Sequence, residues 1–353
     1  MSTYEVMLSL TRAAILGEKA SLPEGLTVDW DELFEISAEQ GTLAWVWDAV
    51  CSLPQKHLLS RLQAINWGLS AQEIWDTYQK QRQVLLQMIK VCQENHIQLL
   101  LLKGIGLSQL YPKPESRPCG DIDIYLFDDY EKGNKLFCEG SVSETDLHSE
   151  FHIDQVHIEN HKLLIFPNTK TKKAVGQYVL NHIDDVILSK EGYYVLPHLP
   201  NLTYLLMHTL NHFNYKGGTK VIPIRNIIDL AVFIYKNQSE LPTRETYQIL
   251  RSLCLDKSFE MIVLLSERLL NVDLSQYHVG LVNTKDAEQI IKILLKEPCF
   301  HFEEDWPFLK KSYALWKRFY KLYPLTRYVP KKPKNGLFQF FIRRQFGLLL
   351  RGK

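Results

Sequence analysis

Along its opening stretch the chain carries apolar residues at three- and four-residue intervals. "TYEVMLSLTRAAIL" and "WDELFEISAEQGTLAWVWDAV" share this spacing, which gathers the apolar side chains on one face of a helix. "LPEGLTVDWDEL" interrupts the run, and Asp29 or Asp31 can cap the helix that follows. Residues 60–96 continue as one or two long helices that close near "ENH". The period then changes. "IQLLLLKG" is a short continuous apolar run closed by Gly104, the pattern of a buried strand. "IGLSQLY" predicts a short helix and "PKPESRPCG" a loop. "DIDIYLF" alternates and predicts a strand, and "DYEKGNKLFCE" predicts a helix. "TDLHSEFHI" and "VHIENHKLLIF" predict a hairpin turning at Asp154 and Gln155. From about residue 175 helical spacing returns, in "LPNLTYLLMHTLNHFNY", "IPIRNIIDLAVFIYK", "RETYQILRSLCL", "KSFEMIVLLSERLL" and "AEQIIKILLKE".

This pattern predicts an α+β protein: a small mixed sheet set between two helical regions. The expected units are a helical N-terminal region over 1–84, an α/β core over 85–168, and a helical C-terminal region over 169–353. No repeat or low-complexity segment interrupts them.

Composition narrows the class. With 353 residues, 46% hydrophobic and 23% charged, the chain has the make-up of a water-soluble globular protein with a sizeable core. No apolar run reaches the roughly 18 residues of a membrane span, and no basic-then-apolar leader opens the chain. The six cysteines lack paired short spacings, which argues against zinc ribbons and disulfide scaffolds. A reducing, cytoplasmic location is the expectation. Net charge is +1, but Trp306 to Lys353 holds 13 Lys and Arg and no Asp or Glu. This basic tail could meet an anionic partner, such as nucleic acid, anionic lipid or a phosphorylated ligand; the aromatics among its charges favour a solvated, partly helical end that pairs with the acidic remainder.

The chemistry concentrates in "DIDIYL" and "VHIENH". Strand side chains alternate, so Asp121 and Asp123 point one way and Ile122 and Ile124 the other. Two buried carboxylates side by side repel, and a divalent cation resolves both the repulsion and the burial. On the second segment His157, Glu159 and His161 share a face. If the two strands pair, Glu159 meets the aspartates and completes a site for Mg²⁺ or Mn²⁺. Gly104 lets a phosphate approach its backbone, Lys103 offers a point charge and Arg117 a planar fork. The structural alternatives are a solvated strand for Glu159 and pairing of Arg117 with the aspartates. His208 and His212, one helical turn apart, are candidates for zinc or for packing. Arg225 and Asp229 have the spacing of an ordinary helix ion pair.

"LLKGIGLSQLYP…SRPCGDIDIYL" followed by "VHIENH" resembles the DNA polymerase β-like nucleotidyltransferases. It is most similar to their bacterial branch of uncharacterised nucleotidyltransferases. The resemblance rests on Lys103-Gly104, Arg117, Asp121-x-Asp123 and Glu159-x-His161, and extends to His208, His212, Arg225 and Asp229. It implies transfer of a nucleoside monophosphate from a nucleoside triphosphate to an acceptor that is a small molecule, a protein or RNA. Asp121, Asp123 and Glu159 would hold the metal, Lys103, Gly104 and Arg117 the triphosphate, and His161 would touch substrate. The wider superfamily carries Gly-Ser where this chain has Lys103-Gly104, with Ser108 and Ser116 as candidate replacements. That departure leaves two alternatives: a catalytically silent nucleotide-binding or scaffold module, and an RNA-directed enzyme or binder.

Overall fold

The computed structural model describes residues 1–54, 59–138, 143–213, 224–296 and 327–328. Helix α1 (Thr3–Leu16) starts with a reciprocal cap between Ser2 and Glu5 and stops at Gly17, whose φ of 70° closes it in the left-handed conformation. Helix α2 (Trp30–Glu39) is capped by Asp29, whose side chain accepts the Asp31 and Glu32 N–H groups. Helix α3 is Leu43–Ser52 and α4 is Arg61–Glu94. Helix α4 is one uninterrupted rod of 34 residues, about 50 Å long at helical rise. The boundary expected at residue 84 falls within it. Its first half packs Trp67 and Ala71 into the helical core, and its second half packs Val84, Leu85, Met88 and Ile89 under the sheet.

Strands β1 (Leu100–Leu101), β2 (Ile122–Tyr125), β3 (Ser143–Glu144), β4 (His148–Ile153), β5 (Val156–His161), β6 (Ile187–Leu188) and β7 (Tyr194–Val195) form one mixed sheet. Their order is β3-β4-β5-β2-β1-β7-β6. Strand β1 is shorter than its apolar run: Ile97 and Leu99 to Leu102 are all buried, but only two residues pair as strand. The hairpin turns at Asp154 and Gln155, with φ of 48° and 68°, the two left-handed positions of a tight two-residue turn. Strands β6 and β7 extend the sheet beyond the expected core. Between the strands lie the single-turn helix α5 (Ile105–Ser108), α6 (Tyr130–Phe137) and α7 (Lys170–Leu180).

The C-terminal helices are α8 (His198–Phe213), α9 (Arg225–Lys236), α10 (Thr243–Ser252), α11 (Asp256–Leu270) and α12 (Thr284–Lys296). Helix α11 packs on both α9 and α1, so the N-terminal and C-terminal helices share one hydrophobic core. The architecture is α+β, as the sequence pattern implies. Among the described residues no helix is long and apolar enough to cross a membrane. The basic tail lies outside the described residues except at 327–328. There Arg327 sits 3.2 Å from Asp286, and the Tyr328 hydroxyl donates to the same carboxylate at 2.6 Å.

Candidate active site

Strands β2 and β5 run parallel, with Asp123 opposite Glu159 and Tyr125 opposite His161. Opposed residues in a sheet project to the same side. The register therefore carries the Asp121-Asp123 face and the His157-Glu159-His161 face to one surface. Strand β4 pairs antiparallel on the far side of β5 and adds His148, Glu150 and His152 opposite His161, Glu159 and His157. The other surface is apolar: Ile122, Ile124 and Ile158 are fully buried in the cluster against α4. Buried Asn160 and, opposite it, Ser149 are polar exceptions there; the Asn160 amide donates to the Tyr130 carbonyl and to Asn134 Oδ1, and the Asn134 amide donates to Ser149 Oγ.

Ligand-capable atoms of Asp121, His157 and Glu159 lie within 4.8 Å of one another, as do those of His148, Glu159 and His161. Asp123 is completely buried between two cationic side chains. Lys103 Nζ lies 2.6 Å from its Oδ2, and His161 Nε2 lies 3.0 Å from its Oδ1. Lys103 also reaches Asp121 Oδ2 at 3.6 Å, and His161 reaches Glu159 Oε2 at 3.4 Å. Gly104 follows with φ 60° and ψ −119°. A Cβ on it would stand 3.1 Å from the Asp121 carbonyl, so the turn that delivers Lys103 to the carboxylates requires glycine.

Charge is tightly balanced here. Burial alone would push the Asp123 carboxyl up, but Lys103 and His161 outweigh it and hold that group well below the usual carboxylate range. For Asp121, burial acts together with the neighbouring Asp123 charge, and its pKa is raised. Burial opposes a charge on His161 too, yet its hydrogen bonds to Asp123 and Glu159 prevail and lift the imidazolium to about 9.

A family model described as "Uncharacterised nucleotidyltransferase" matches residues 27–271. The chain belongs to this family. No curated protein and no solved structure matches the chain.

Within this member of the family the expected site residues divide into two groups. Lys103, Gly104, Asp121, Asp123, Glu159 and His161 converge on one surface. Arg117 does not face it: its guanidinium forms a two-point pair with Asp229, and Nη1 contacts the Pro118 carbonyl and Cys119 Sγ. Ser108 and Ser116 are fully buried, and Ser116 is engaged by the Trp75 indole and by Asp48. Helix α5 is a single turn, in which the Gly106 and Leu107 amides bond to the Lys103 and Gly104 carbonyls. His208 and His212 touch through their Nε2 atoms at 3.1 Å and join no group of three potential metal ligands among the described residues.

Helix α8 supplies site neighbours that the apolar run around "LTYLLMHTL" conceals. Tyr204 is buried, and burial followed by the charges of Asp123, Glu159 and Asp121 pushes its hydroxyl well up. Burial and then the Lys103 charge push His208 well below the ordinary imidazole range.

Proposed function

We propose that this nucleotidyltransferase-family protein is a divalent-metal-dependent enzyme. It would move a nucleoside monophosphate from a nucleoside triphosphate to an acceptor hydroxyl or phosphate, releasing pyrophosphate. The observation that carries this reading is the pairing of Asp123 with Glu159 across parallel strands, with a carboxylate oxygen of Asp121 within 4.8 Å of one of Glu159. The donor set fits a hard cation such as Mg²⁺ or Mn²⁺, which takes carboxylate oxygens. Asp123 Oδ2 is buried and receives no hydrogen bond of good geometry, only the Lys103 ammonium. The site thus already gathers positive charge where an ion would sit.

Asp121, Asp123 and Glu159 would hold the ion, which when bound polarises the α-phosphate. Asp121 and Glu159 side chains are 31% and 17% exposed, while Asp123 is closed off. The first two therefore reach the reactants, and Glu159 accepts the proton of the acceptor. Asp123 stands behind them: it would reach the ion through the Oδ2 that Lys103 otherwise occupies, and it anchors His161 through Oδ1. Lys103, released from Asp121, takes the triphosphate oxygens, and the bare backbone at Gly104 leaves them room. His161, buried at 3% exposure, orients the two carboxylates. In this reading Arg117 holds the loop before Asp121 through Asp229, and contact with phosphate would require that pair to open.

The test is incubation of the full chain with α-labelled ATP, CTP, GTP or UTP, Mg²⁺ or Mn²⁺, and acceptors spanning sugar phosphates, antibiotics, tRNA and proteins. Label transfer with pyrophosphate release supports the enzyme. Nucleotide binding with no pyrophosphate released for any acceptor would instead support the silent nucleotide-binding module, the reading favoured by the missing Gly-Ser pair and by the seating of Lys103 between the aspartates.

A further inference from the structure

The outer edge of the polar face holds two histidines, each with one ring nitrogen fixed outward and the other turned toward Glu159. His148 on β4 stands opposite His161 on β5, with ring centroids 5.2 Å apart and planes at 62°. His148 Nε2 lies 2.9 Å from Glu150 Oε1. A carboxylate only accepts, so Nε2 carries the hydrogen and a neutral ring presents its lone pair at Nδ1. Nδ1 is buried and has no hydrogen-bond partner among the described residues. It faces Glu159 Oε2 at 3.6 Å, beyond hydrogen-bond reach. With the ring neutral, two acceptors confront each other across that gap, an unfavourable arrangement that a proton on Nδ1 or a metal ion between them would relieve.

His161 is oriented in the same manner. Its Nδ1 lies 3.3 Å from the Leu163 carbonyl, so Nδ1 donates and Nε2 turns inward, where it donates to Asp123 Oδ1 at 3.0 Å and lies 3.4 Å from the same Glu159 oxygen. An outward acceptor that fixes the ring and leaves the inner nitrogen for an ion is the usual outer shell of a histidine metal ligand. The spacings agree with this. Bonds of about 2.0–2.1 Å at a tetrahedral ion place neighbouring donors roughly 3.3–3.4 Å apart, and the distances across Glu159 are 3.4 and 3.6 Å.

We propose that His148, Glu159 and His161 form a binding site for a borderline divalent transition ion of the Zn²⁺, Fe²⁺ or Co²⁺ class. Imidazole ligands favour such ions, whereas Mg²⁺ favours oxygen alone. The site adjoins the three-carboxylate group and shares Glu159 with it. Binding would release to solvent the proton that His161 Nε2 donates to Asp123 Oδ1, while Asp123 keeps Lys103. Two imidazoles and one carboxylate leave open coordination positions that a water or an oxyanion can fill. Glu150, which touches the ring of His148 and not the ion, is a positioning residue. Binding of the ion does not depend on nucleotidyl transfer, and the two can fail separately.

The experiment uses the full chain stripped with chelator, titrated with Co²⁺ in excess Mg²⁺ and followed by visible absorption, with Zn²⁺ binding measured by calorimetry. We expect one equivalent of Co²⁺ with nitrogen-ligated visible bands. His148→Gln should weaken it on the order of 100-fold, and Glu150→Ala by about 10–100-fold with the bands retained at saturation. Glu150 is partly exposed, so its substitution keeps the test available if His148→Gln does not fold. The proposal is overturned if the parent binds no Co²⁺ in excess Mg²⁺, or if both variants bind it as tightly as the parent. Tight Co²⁺ binding without transfer to any acceptor would uphold this site and reject the enzymatic reading; transfer in Mg²⁺ with no Co²⁺ binding would do the reverse.

Discussion

Arg117 and Asp229, 112 positions apart, form a two-point ion pair in which both nitrogen–oxygen distances are 2.8 Å. Both side chains are almost fully buried, and the Tyr111 hydroxyl donates to the same carboxylate at 2.7 Å. From one turn earlier on α9, Arg225 donates to the Pro118 carbonyl at 3.2 Å. Helix α9 thus grips the loop that leads into Asp121. Removing one partner strands a buried charge, so Arg117→Ala or Asp229→Ala should each lose about 3–5 kcal/mol in urea denaturation. The pair Arg117→Met with Asp229→Leu should recover most of that loss. If activity returns with stability in the double variant, Arg117 acts through the loop. Stability without activity would place it on the triphosphate.

Gly104→Ala should cost of the order of 1–3 kcal/mol, because φ of 60° with ψ of −119° is open to glycine and strained for alanine. The added methyl would also press on the Asp121 carbonyl. The variant should lose nucleotide affinity together with stability, readable by calorimetry below its melting transition. An alanine variant as stable as the parent would contradict this backbone geometry.

His161 makes the metal-free protein pH-sensitive. Its pKa rises from 6.5 to about 9 on folding, burial being outweighed by hydrogen bonds to Asp123 and Glu159. Between those values the folded chain holds a proton that the unfolded chain has released. The stabilisation is therefore complete below pH 6.5 and lost as pH climbs to about 9, a change of the order of 3 kcal/mol. Denaturant midpoints in chelator at pH 6 and 9.5 should fall apart for the parent and converge for His161→Gln. Equal slopes in the two proteins would remove His161 from between the carboxylates.

Glu159→Gln keeps the shape of the side chain and removes its charge. Loss of a neighbour that merely orients a metal ligand costs about 10–100-fold, so loss of the ligand itself should lower kcat/KM by at least that much. Thermal stability should change little, since Asp121 is relieved of one like charge while the His161 imidazolium loses one of its two carboxylate partners. A variant with full transfer activity would show Glu159 to be a bystander.

The two site strands are legible in the sequence because a period of two fixes which side chains share a face, whatever the neighbouring strand. Their register is not: the alignment of Asp123 with Glu159 depends on the parallel pairing of β2 with β5, which no local pattern encodes. Arg225 and Asp229 show tertiary context overriding local spacing. Four residues apart on a helix, they read as a mutual pair, but the bidentate partner buried against Asp229 is Arg117. Strands β6 and β7 hold two residues each, too few for any period to register. Tyr204 and His208 sit in a run of leucines that reads as core, and their nearness to the acidic group follows only from the packing of α8. The clustering of His148 with His161 is visible in the sequence. Which nitrogen each ring turns inward is not, because Glu150 and Leu163 decide it in space.

The register of the β4–β5 hairpin rests on Asp154 and Gln155, and it sets whether Glu159, His161 and His148 share a face. Gln155 has φ of 68°, a conformation that costs an ordinary side chain roughly 1–2 kcal/mol and glycine almost nothing. Part of any gain is lost to the greater freedom of glycine in the unfolded chain, about 0.5–1 kcal/mol. Gln155→Gly should therefore stabilise by a few tenths to about 1 kcal/mol and leave metal binding unchanged, because the turn it favours is the one already present. Deleting Gln155 tests the opposite case. A one-residue slip sends every side chain of β5 to the other face: Glu159 would leave the aspartates while Asn160 took its place on the polar surface. The deletion should abolish Co²⁺ and Mg²⁺ binding together and lower the melting temperature, both readable on the same preparation. A deletion variant that still bound metal as the parent does would mean that the hairpin does not hold Glu159 in place.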